Sequence, residues 1–549
     1  MIKTPTGIIS SLKIIILIII EHPPCKQSSD RMKKIRILWT DDEIEVLKPH
    51  ILFLSDKGYD VSTCSNGNDT VDLVSNKDYD IIFLDEHMPG MSGIETLREI
   101  KQLKPDIPVV MITKSEEEDI MEMAIGSQIA DYLIKPVKPN QILLSLKKII
   151  ESSRLVSETT TTDYRFGFSK IGQDIGTANT HSEWSEIYRK LVYWSTRLDN
   201  IDDPGLSEIF DMQEHEANIA FSRFISGSYL SWFDPDCTDG PLLSPSIMSE
   251  KVFPLLKQKK KVLFILIDNL RYDQWKILAG ELGDLTRIIS DELYYSILPT
   301  ATQYSRNTIF SGLMPGDIEK RMPQFWVSDE QEQGKNQYEK ELLADQLKRH
   351  AIDCRWSYTK ISNNTTGKKV TDNVQDILNR DLTALVYNFV DMLSHARTEI
   401  GLIRDLANNE SAYRSLTRSW FIHSPLVELL KRLKGKEITI ILTTDHGTIR
   451  VTNPVKVVGD RLSSTNIRYK LGRNLDYPEK EVFEIRRPEE AQLPRSNISS
   501  KYIFARGYDY FLYPKNYHHF ANYYKNTFQH GGISMHEMII PLVSLEPVP

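Results

Sequence analysis

Cysteine is scarce in this chain, and no stretch near its N-terminus is both long and apolar enough to cross a bilayer. The four cysteines, Cys25, Cys64, Cys237 and Cys354, lie far apart and show no Cys-x-x-Cys spacing. That excludes a disulfide framework and a cysteine-type zinc finger, and it suits a reducing cytoplasm. An excess of positive charge is absent too: 67 Lys and Arg against 75 Asp and Glu give a net charge of −8. General coating of nucleic acid is therefore not expected, although a local basic pocket is compatible with that balance. The apolar run Ile14–Ile20 is too short to span a membrane. Together with Ile8–Leu12 it has the character of a weak signal-like segment. However, Met32 directly precedes Lys33-Lys34-Ile35-Arg36-Ile37-Leu38, a natural first strand. Met32 is expected to be the true start, with residues 1–31 an upstream extension; a membrane-surface anchor is the other reading of that segment.

What is present begins as βαβ alternation. At 549 residues, 40% hydrophobic and 26% charged, the composition is that of a soluble globular chain, with length for about three or four domains. The strand-like run Ile35–Trp39 ends in Thr40-Asp41-Asp42-Glu43, and Asp80–Leu84 ends in Asp85. Pro108–Ile112 ends in Thr113, and Asp131–Ile134 ends in Lys135-Pro136. In open α/β sheets, chemistry gathers at the carboxyl ends of such strands. Asp85 is placed to accept a phosphoryl group, with Asp41 and Asp42 beside it to bind Mg²⁺, which prefers hard oxygen ligands. Thr113 would hydrogen-bond the acyl phosphate and Lys135 would pair with its charge. These residues, with Met88-Pro89-Gly90 and Gly93 after the acceptor, resemble the response-regulator receiver family over residues 33–152. The resemblance implies a flavodoxin-like domain with five parallel strands, here bounded as residues 32–152. It also makes Tyr132 the switch aromatic that follows Thr113; a packing tyrosine is the alternative.

Residues 153–254 read as a linker followed by a helical bundle. Ser157–Asp163 is rich in hydroxyls. Trp184, Ile187, Tyr188, Leu191 and Trp194 recur near a 3.6 period, with Ser182 available as a cap. A second helix is expected over Leu206–Trp232. Neither carries a metal or nucleophile pattern, and no basic helix-turn-helix is visible.

From residue 255 onward three apolar runs each stop at an acid: Val262–Ile267 at Asp268, Ala384–Val390 at Asp391, and Ile438–Thr444 at Asp445. Three carboxylates on one sheet rim repel each other, and divalent cations are the usual remedy. Histidines stand close by. His395 is four residues after Asp391, His446 follows Asp445, and His530 lies in Gln529-His530-Gly531-Gly532. Carboxylate and imidazole ligands suit two Zn²⁺ ions, with Mn²⁺ the alternative. Pro299-Thr300-Ala301-Thr302 supplies hydroxyls at the start of a helix, where backbone N–H groups favour phosphate. A threonine hydroxyl is a poor nucleophile until a metal lowers its pKa.

Residues 255–549 resemble the PglZ-type branch of the alkaline phosphatase superfamily. The carrying motifs are Asp268-Asn269-Leu270-Arg271, Pro299–Asn307, Asp391–His395, Asp445-His446-Gly447 and His530-Gly531-Gly532. The resemblance implies that Asp391, His395 and His530 hold one ion and that Asp268, Asp445 and His446 hold the other. It points to Thr302 as nucleophile bridging both, with Thr300 in reserve. Receiver, helical segment and PglZ domain in that order resemble the response regulators of type IX secretion. That implies a cytoplasmic protein phosphorylated by a sensor histidine kinase and dimeric when phosphorylated. It also implies phosphodiesterase action on cyclic or linear oligonucleotides, and contacts with a sigma factor and the secretion motor. A signalling scaffold that keeps its metals for stability is the rival reading; a phosphomonoesterase or kinase-like transferase is a third.

For substrate grip, the stretch from Arg461 to Asn474 mixes cations with an aromatic. Arg468, Lys470 and Arg473 are expected to hold phosphates and Tyr469 to stack on a base. Arg271 and Asn307 are expected to bind non-bridging phosphate oxygens. An exposed basic loop is the alternative.

Overall fold

A computed structural model gives the architecture. It describes residues 35–549 apart from 106, 115–128, 147–148, 150–163, 165–166, 200, 202, 329–333, 400–408, 460–463 and 496. The expected extension 1–31 and the hydroxyl-rich linker 157–163 lie outside the described residues. The described residues form two compact units, residues 35–149 and residues 164–549.

In the N-terminal unit, strands β1 (Arg36–Thr40), β2 (Asp60–Cys64), β3 (Ile81–Asp85), β4 (Val109–Thr113) and β5 (Asp131–Ile134) make one parallel sheet in the order β2-β1-β3-β4-β5. β3 and β4 are buried along their whole length, which is why they read as unbroken apolar runs. β2 carries no such run. It is an edge strand, Asp-Val-Ser-Thr-Cys, buried only at Cys64, and its polarity hid it among turn residues.

The C-terminal unit is built on a six-stranded sheet. Its strands are β6 (Val262–Ile267), β7 (Thr286–Tyr295), β8 (Trp356–Ile361), β9 (Leu382–Tyr387), β10 (Thr439–Thr443) and β11 (Ile539–Pro547), in the order β7-β11-β10-β6-β9-β8. β10, β6, β9 and β8 run parallel, and β11 is antiparallel to both its neighbours. Alternate residues of β6 enter different cores: Leu263, Ile265 and Ile267 face one, Val262, Phe264 and Leu266 the other. That two-sided burial follows from the period of 2 and explains the continuous hydrophobic run. The register aligns Ile267 with Tyr387 and Leu266 with Thr443, so three carboxyl ends finish at one level.

Helices α1 (His181–Leu198) and α2 (Pro204–Ser228) share their core with the large sheet. Trp184, Tyr188, Leu191, Phe221 and Ile225 are buried there with Leu263, Ile265 and Tyr295. A helix with such a stripe must cover it, and each large side chain buried stabilises by roughly 1.5–3 kcal/mol. α1 starts two residues earlier than a Ser182 cap would place it: Thr180, not Ser182, is the cap, in a reciprocal capping box with Glu183. Helices α3 (Tyr272–Gly280), α4 (Thr302–Ser311) and α5 (Phe389–Glu399) follow β6, β7 and β9. A small antiparallel sheet joins Tyr469–Gly472, Lys501–Ala505 and Val482–Ile485. Part of the expected basic loop is therefore a strand. No helix among the described residues is long and apolar enough to cross a membrane.

Candidate functional site

Two clusters of acids form at strand ends. In the N-terminal unit, ligand oxygens of Asp41, Asp42 and Asp85 lie within 4.8 Å of one another. Lys135 Nζ sits 2.7 Å from Asp41 Oδ2 and 3.1 Å from Asp85 Oδ1. Burial pushes the Asp85 carboxyl up, Lys135 opposes this, and Asp41 and Asp42 add to it. Burial also pulls Lys135 down, but the two carboxylates outweigh it and hold the ammonium above its ordinary value. An all-oxygen set carrying excess negative charge fits Mg²⁺. Thr113 is buried at the end of β4, and Tyr132 is half-buried on β5.

The second cluster lies on the rim of the six-stranded sheet. Donor atoms of Asp268, Asp445 and His446 come within 4.8 Å of one another, all three residues buried. Thr302, first residue of α4, places Oγ1 3.1 Å from His446 Nε2 and 3.5 Å from Asp268 Oδ1. The His446 and His530 rings stack with centroids 4.2 Å apart. His530 Nε2 is 3.9 Å from Asp391 Oδ1. Asp268, Asp391, Asp445, His446, His530 and Thr302 thus converge. His395 lies on α5 one turn beyond Asp391, and its side chain is outside what the structure describes.

The imidazoles are oriented for ligation. His446 Nδ1 donates to Gly447 O at 3.2 Å and His530 Nδ1 donates to Thr300 O at 3.1 Å. A carbonyl can only accept, so the proton sits on Nδ1 and each Nε2 keeps its lone pair for a metal. Burial raises Asp268 well above the carboxylate range; Arg306 opposes this and the charges of Asp445 and Asp391 reinforce it. For Asp445 burial also raises, but Arg306 and then His446 outweigh it and hold the carboxyl well below its ordinary value. A set of this chemistry fits divalent cations of the zinc type.

Thr300 is engaged otherwise. Its hydroxyl donates to Gly532 O at 2.9 Å and accepts from Gly531 N–H at 3.0 Å, so it tethers the His530 loop. Gly531 has φ +123°, and a Cβ there would lie 2.7 Å from Tyr469 Cδ1. At Gly447 a Cβ would lie 2.0 Å from the His536 carbonyl. Both glycines are therefore required by the close approach of neighbouring chain.

Two residues that the sequence motifs contain, but to which the sequence reading gave no role, hold the site. Arg306, fully buried one turn along α4 from Thr302, pairs with Asp268, with Asp445 Oδ2 at 3.0 Å and with Glu339 Oε1 at 3.3 Å. Asn269 has φ +65°, a left-handed conformation asparagine tolerates. Its backbone N–H donates to Asp445 Oδ1 at 3.3 Å, and its side chain donates to Asp391 Oδ1 at 3.3 Å. One residue thus bridges two of the three strand ends. The signals available were a lone arginine in an otherwise uncharged helix and an asparagine directly after a strand-end aspartate.

Most of the expected substrate grips are corrected. Arg271 is 1% exposed and paired with Asp273 and Glu410. Arg468 is buried and paired with Glu537. Lys470 is buried, donates to Ser464 O at 2.9 Å and lies over the Tyr513 ring; burial pulls it down to about 7. Asn307 is buried and donates to Lys335 O at 3.1 Å. These four hold the fold and present no face to a phosphate. Arg473 is exposed at the end of its strand. What does open beside Thr302 is a cavity of about 420 Å³, to which Tyr469 contributes.

Comparison with known proteins matches three regions. Residues 247–545, more than half of the chain, match the BREX system PglZ alkaline phosphatase-like domain. Residues 154–233 match the PorX response regulator linker domain, and residues 37–147 the response regulator receiver domain. In that order the three match the PorX architecture. Among curated relatives, transcriptional regulatory protein ZraR of Klebsiella oxytoca is 33% identical over 140 residues, 26% of this chain and 32% of its own. ResD of Bacillus subtilis is 27% identical over 183 residues, 32% of this chain and 76% of its own. The chain thus spans about a third of ZraR's length. Among solved structures, a response regulator receiver domain protein from Clostridium thermocellum is 28% identical, covering 22% of this chain and 98% of that one, with a TM-score of 0.21.

Proposed function

The chain belongs to the PglZ alkaline phosphatase-like family, and from that premise we propose that it is a response regulator whose phosphorylation controls a metal-dependent phosphodiesterase acting on cyclic or linear oligonucleotides. The observation that carries this is the convergence of Thr302 with Asp268, Asp445, His446 and His530 on one sheet rim. Asp268, Asp445 and His446 would hold one zinc ion, and Asp391, His395 and His530 the other. When bound, the pair supplies positive charge at the attacking and leaving oxygens of an in-line displacement.

The chain's own residues do the rest. Thr302 Oγ1 forms a bond to phosphorus as the bond to the leaving oxygen breaks, and that oxygen leaves with a proton. Water then cleaves the threonyl ester and frees Thr302. Arg306 and Asn269 keep Asp268, Asp445 and Asp391 in place. A diester is favoured over a monoester because Arg271, Arg306 and Arg468 are all committed to buried ion pairs and bring no guanidinium to the scissile phosphate. In the N-terminal unit Asp85 would take its phosphoryl group from a sensor histidine kinase. Dimerisation on phosphorylation, a cytoplasmic location, partnership with a sigma factor and a motor protein, and a role in type IX secretion complete the proposal.

The test is turnover of bis-p-nitrophenyl phosphate against p-nitrophenyl phosphate by the zinc-loaded chain. The diester should be hydrolysed at least tenfold faster, and a chelator should abolish the activity, with zinc restoring it. Equal or faster monoester turnover would reject the diesterase reading.

A further inference from the structure

The cavity beside Thr302 carries an inference about what the site accepts, and it rests on the phosphodiesterase reading. At about 420 Å³ the cavity is near the small end of the range for single ligands, roughly 300–1,000 Å³. Its described part has room for one nucleotide unit. Its described lining includes the cation Lys335 and no carboxylate. Two tyrosines, Tyr523 and Tyr524, form an aromatic wall, their rings edge to face with centroids 4.9 Å apart. Asn466 and Gln529 add amides to the same lining.

The wall and the cation are built in. The loop bearing Lys335 is tied down twice, by Asn307 Nδ2 on Lys335 O at 3.1 Å and by Lys360 Nζ on Asn336 O at 3.0 Å. Asn307 follows the nucleophile on α4, so the cation's backbone is referenced to Thr302 itself. Asn466 Nδ2 donates to His530 O at 3.2 Å and couples the opposite lining segment to the metal-ligand loop. Tyr524 packs partly on the cluster of Ile449, Val451, Ile467, Tyr510 and Leu512. The larger cavity against α2, of about 1180 Å³, is different in kind. Glu208, Asp211 and Glu216 line it against one arginine, Arg223, so its described lining carries net negative charge and is a poor match for a polyanion.

We infer that the cavity is a one-nucleotide subsite that stacks a nucleobase on the Tyr523–Tyr524 wall and pairs a second, terminal phosphate with Lys335, so that the enzyme cuts short phosphorylated oligonucleotides one unit from the phosphate-bearing end. The wall accepts any base, because stacking reads the π-face and not the edge.

Three substrates test this on the full zinc-loaded chain: a 5′-phosphorylated dinucleotide, the same dinucleotide without that phosphate, and methyl p-nitrophenyl phosphate. Wild type should prefer the phosphorylated dinucleotide by about tenfold in kcat/KM, and Lys335→Ala should bring that ratio close to one. Tyr523→Ala should lower kcat/KM for both dinucleotides by about 5- to 150-fold relative to the methyl ester, the range for one lost base stack. Tyr523→Phe should restore it, which separates stacking from a folding defect. Zinc content and thermal midpoint are matched across variants. Equal losses on both dinucleotides in Lys335→Ala, or equal losses on all three esters in Tyr523→Ala, would overturn the subsite. If wild type hydrolyses none of the three esters, the phosphodiesterase reading itself falls, and the subsite with it.

Discussion

At the scale of single residues, the three acids of the rim were legible because each closes an apolar run, and His395 and His446 because they stand within four positions of such an acid; His530 was legible only from its Gly-Gly motif. Arg306, Arg271 and Arg468 were not legible in the same way. A buried arginine and an exposed one look alike until folding supplies the partner. The fold supplies Asp268 and Asp445 to Arg306, Asp273 and Glu410 to Arg271, and Glu537 to Arg468. Lys470 gives a pH test. Burial holds it near 7 in the folded chain against an ordinary 10.5. Between those values the unfolded chain binds more protons, so stability rises with pH. Wild type should gain on the order of 2–3 kcal/mol relative to Lys470→Met between pH 7 and 9.5, measured by urea unfolding of both. A pH-independent difference would show the ammonium to be hydrated.

At the scale of elements, the middle helices are part of the unit built on the six-stranded sheet. Glu214 on α2 pairs with His536 Nε2 at 3.3 Å, and Asn218 Oδ1 accepts from Met535 N–H at 3.0 Å. Just beyond α2, the Tyr229 hydroxyl accepts from Leu298 N–H at 2.8 Å, four residues before Thr302. Helical periodicity showed that these helices exist, but not what covers their stripe, because a stripe does not name its partner. The sheet's strand order was equally beyond reach, since β11 inserts from the far end of the chain between β7 and β10. Tyr229→Phe leaves a buried N–H without its acceptor, which should cost about 1–3 kcal/mol. Because that N–H precedes the loop that carries Thr302, the proposed nucleophile, kcat for the diester should fall with KM little changed. A stability loss with wild-type kcat would make Tyr229 a packing residue only.

At the scale of the whole molecule, the proposed function puts a phosphoacceptor site in one unit and a metal centre in the other, which together would make a two-part device. The N-terminal unit was almost fully readable, since Asp41, Asp85, Thr113 and Lys135 all sit at or just beyond strand ends; only the polar edge strand β2 escaped. Coupling between the units follows from the proposed function. Beryllofluoride, an acyl-phosphate mimic, should shift the protein from monomer to dimer in sedimentation. It should also change diester kcat/KM by about 5- to 150-fold, the span of ordinary allosteric coupling. Asp85→Asn should respond in neither assay. Unchanged turnover with full mimic occupancy would separate the receiver from the catalytic output.

The most direct measurement is diester turnover by Thr302→Ala against wild type, both loaded with zinc and matched by elemental analysis. The account predicts that the variant keeps its metal and loses turnover by at least three orders of magnitude, roughly the scale of removing a catalytic nucleophile. A metal-matched variant that hydrolyses the diester at the wild-type rate would contradict it.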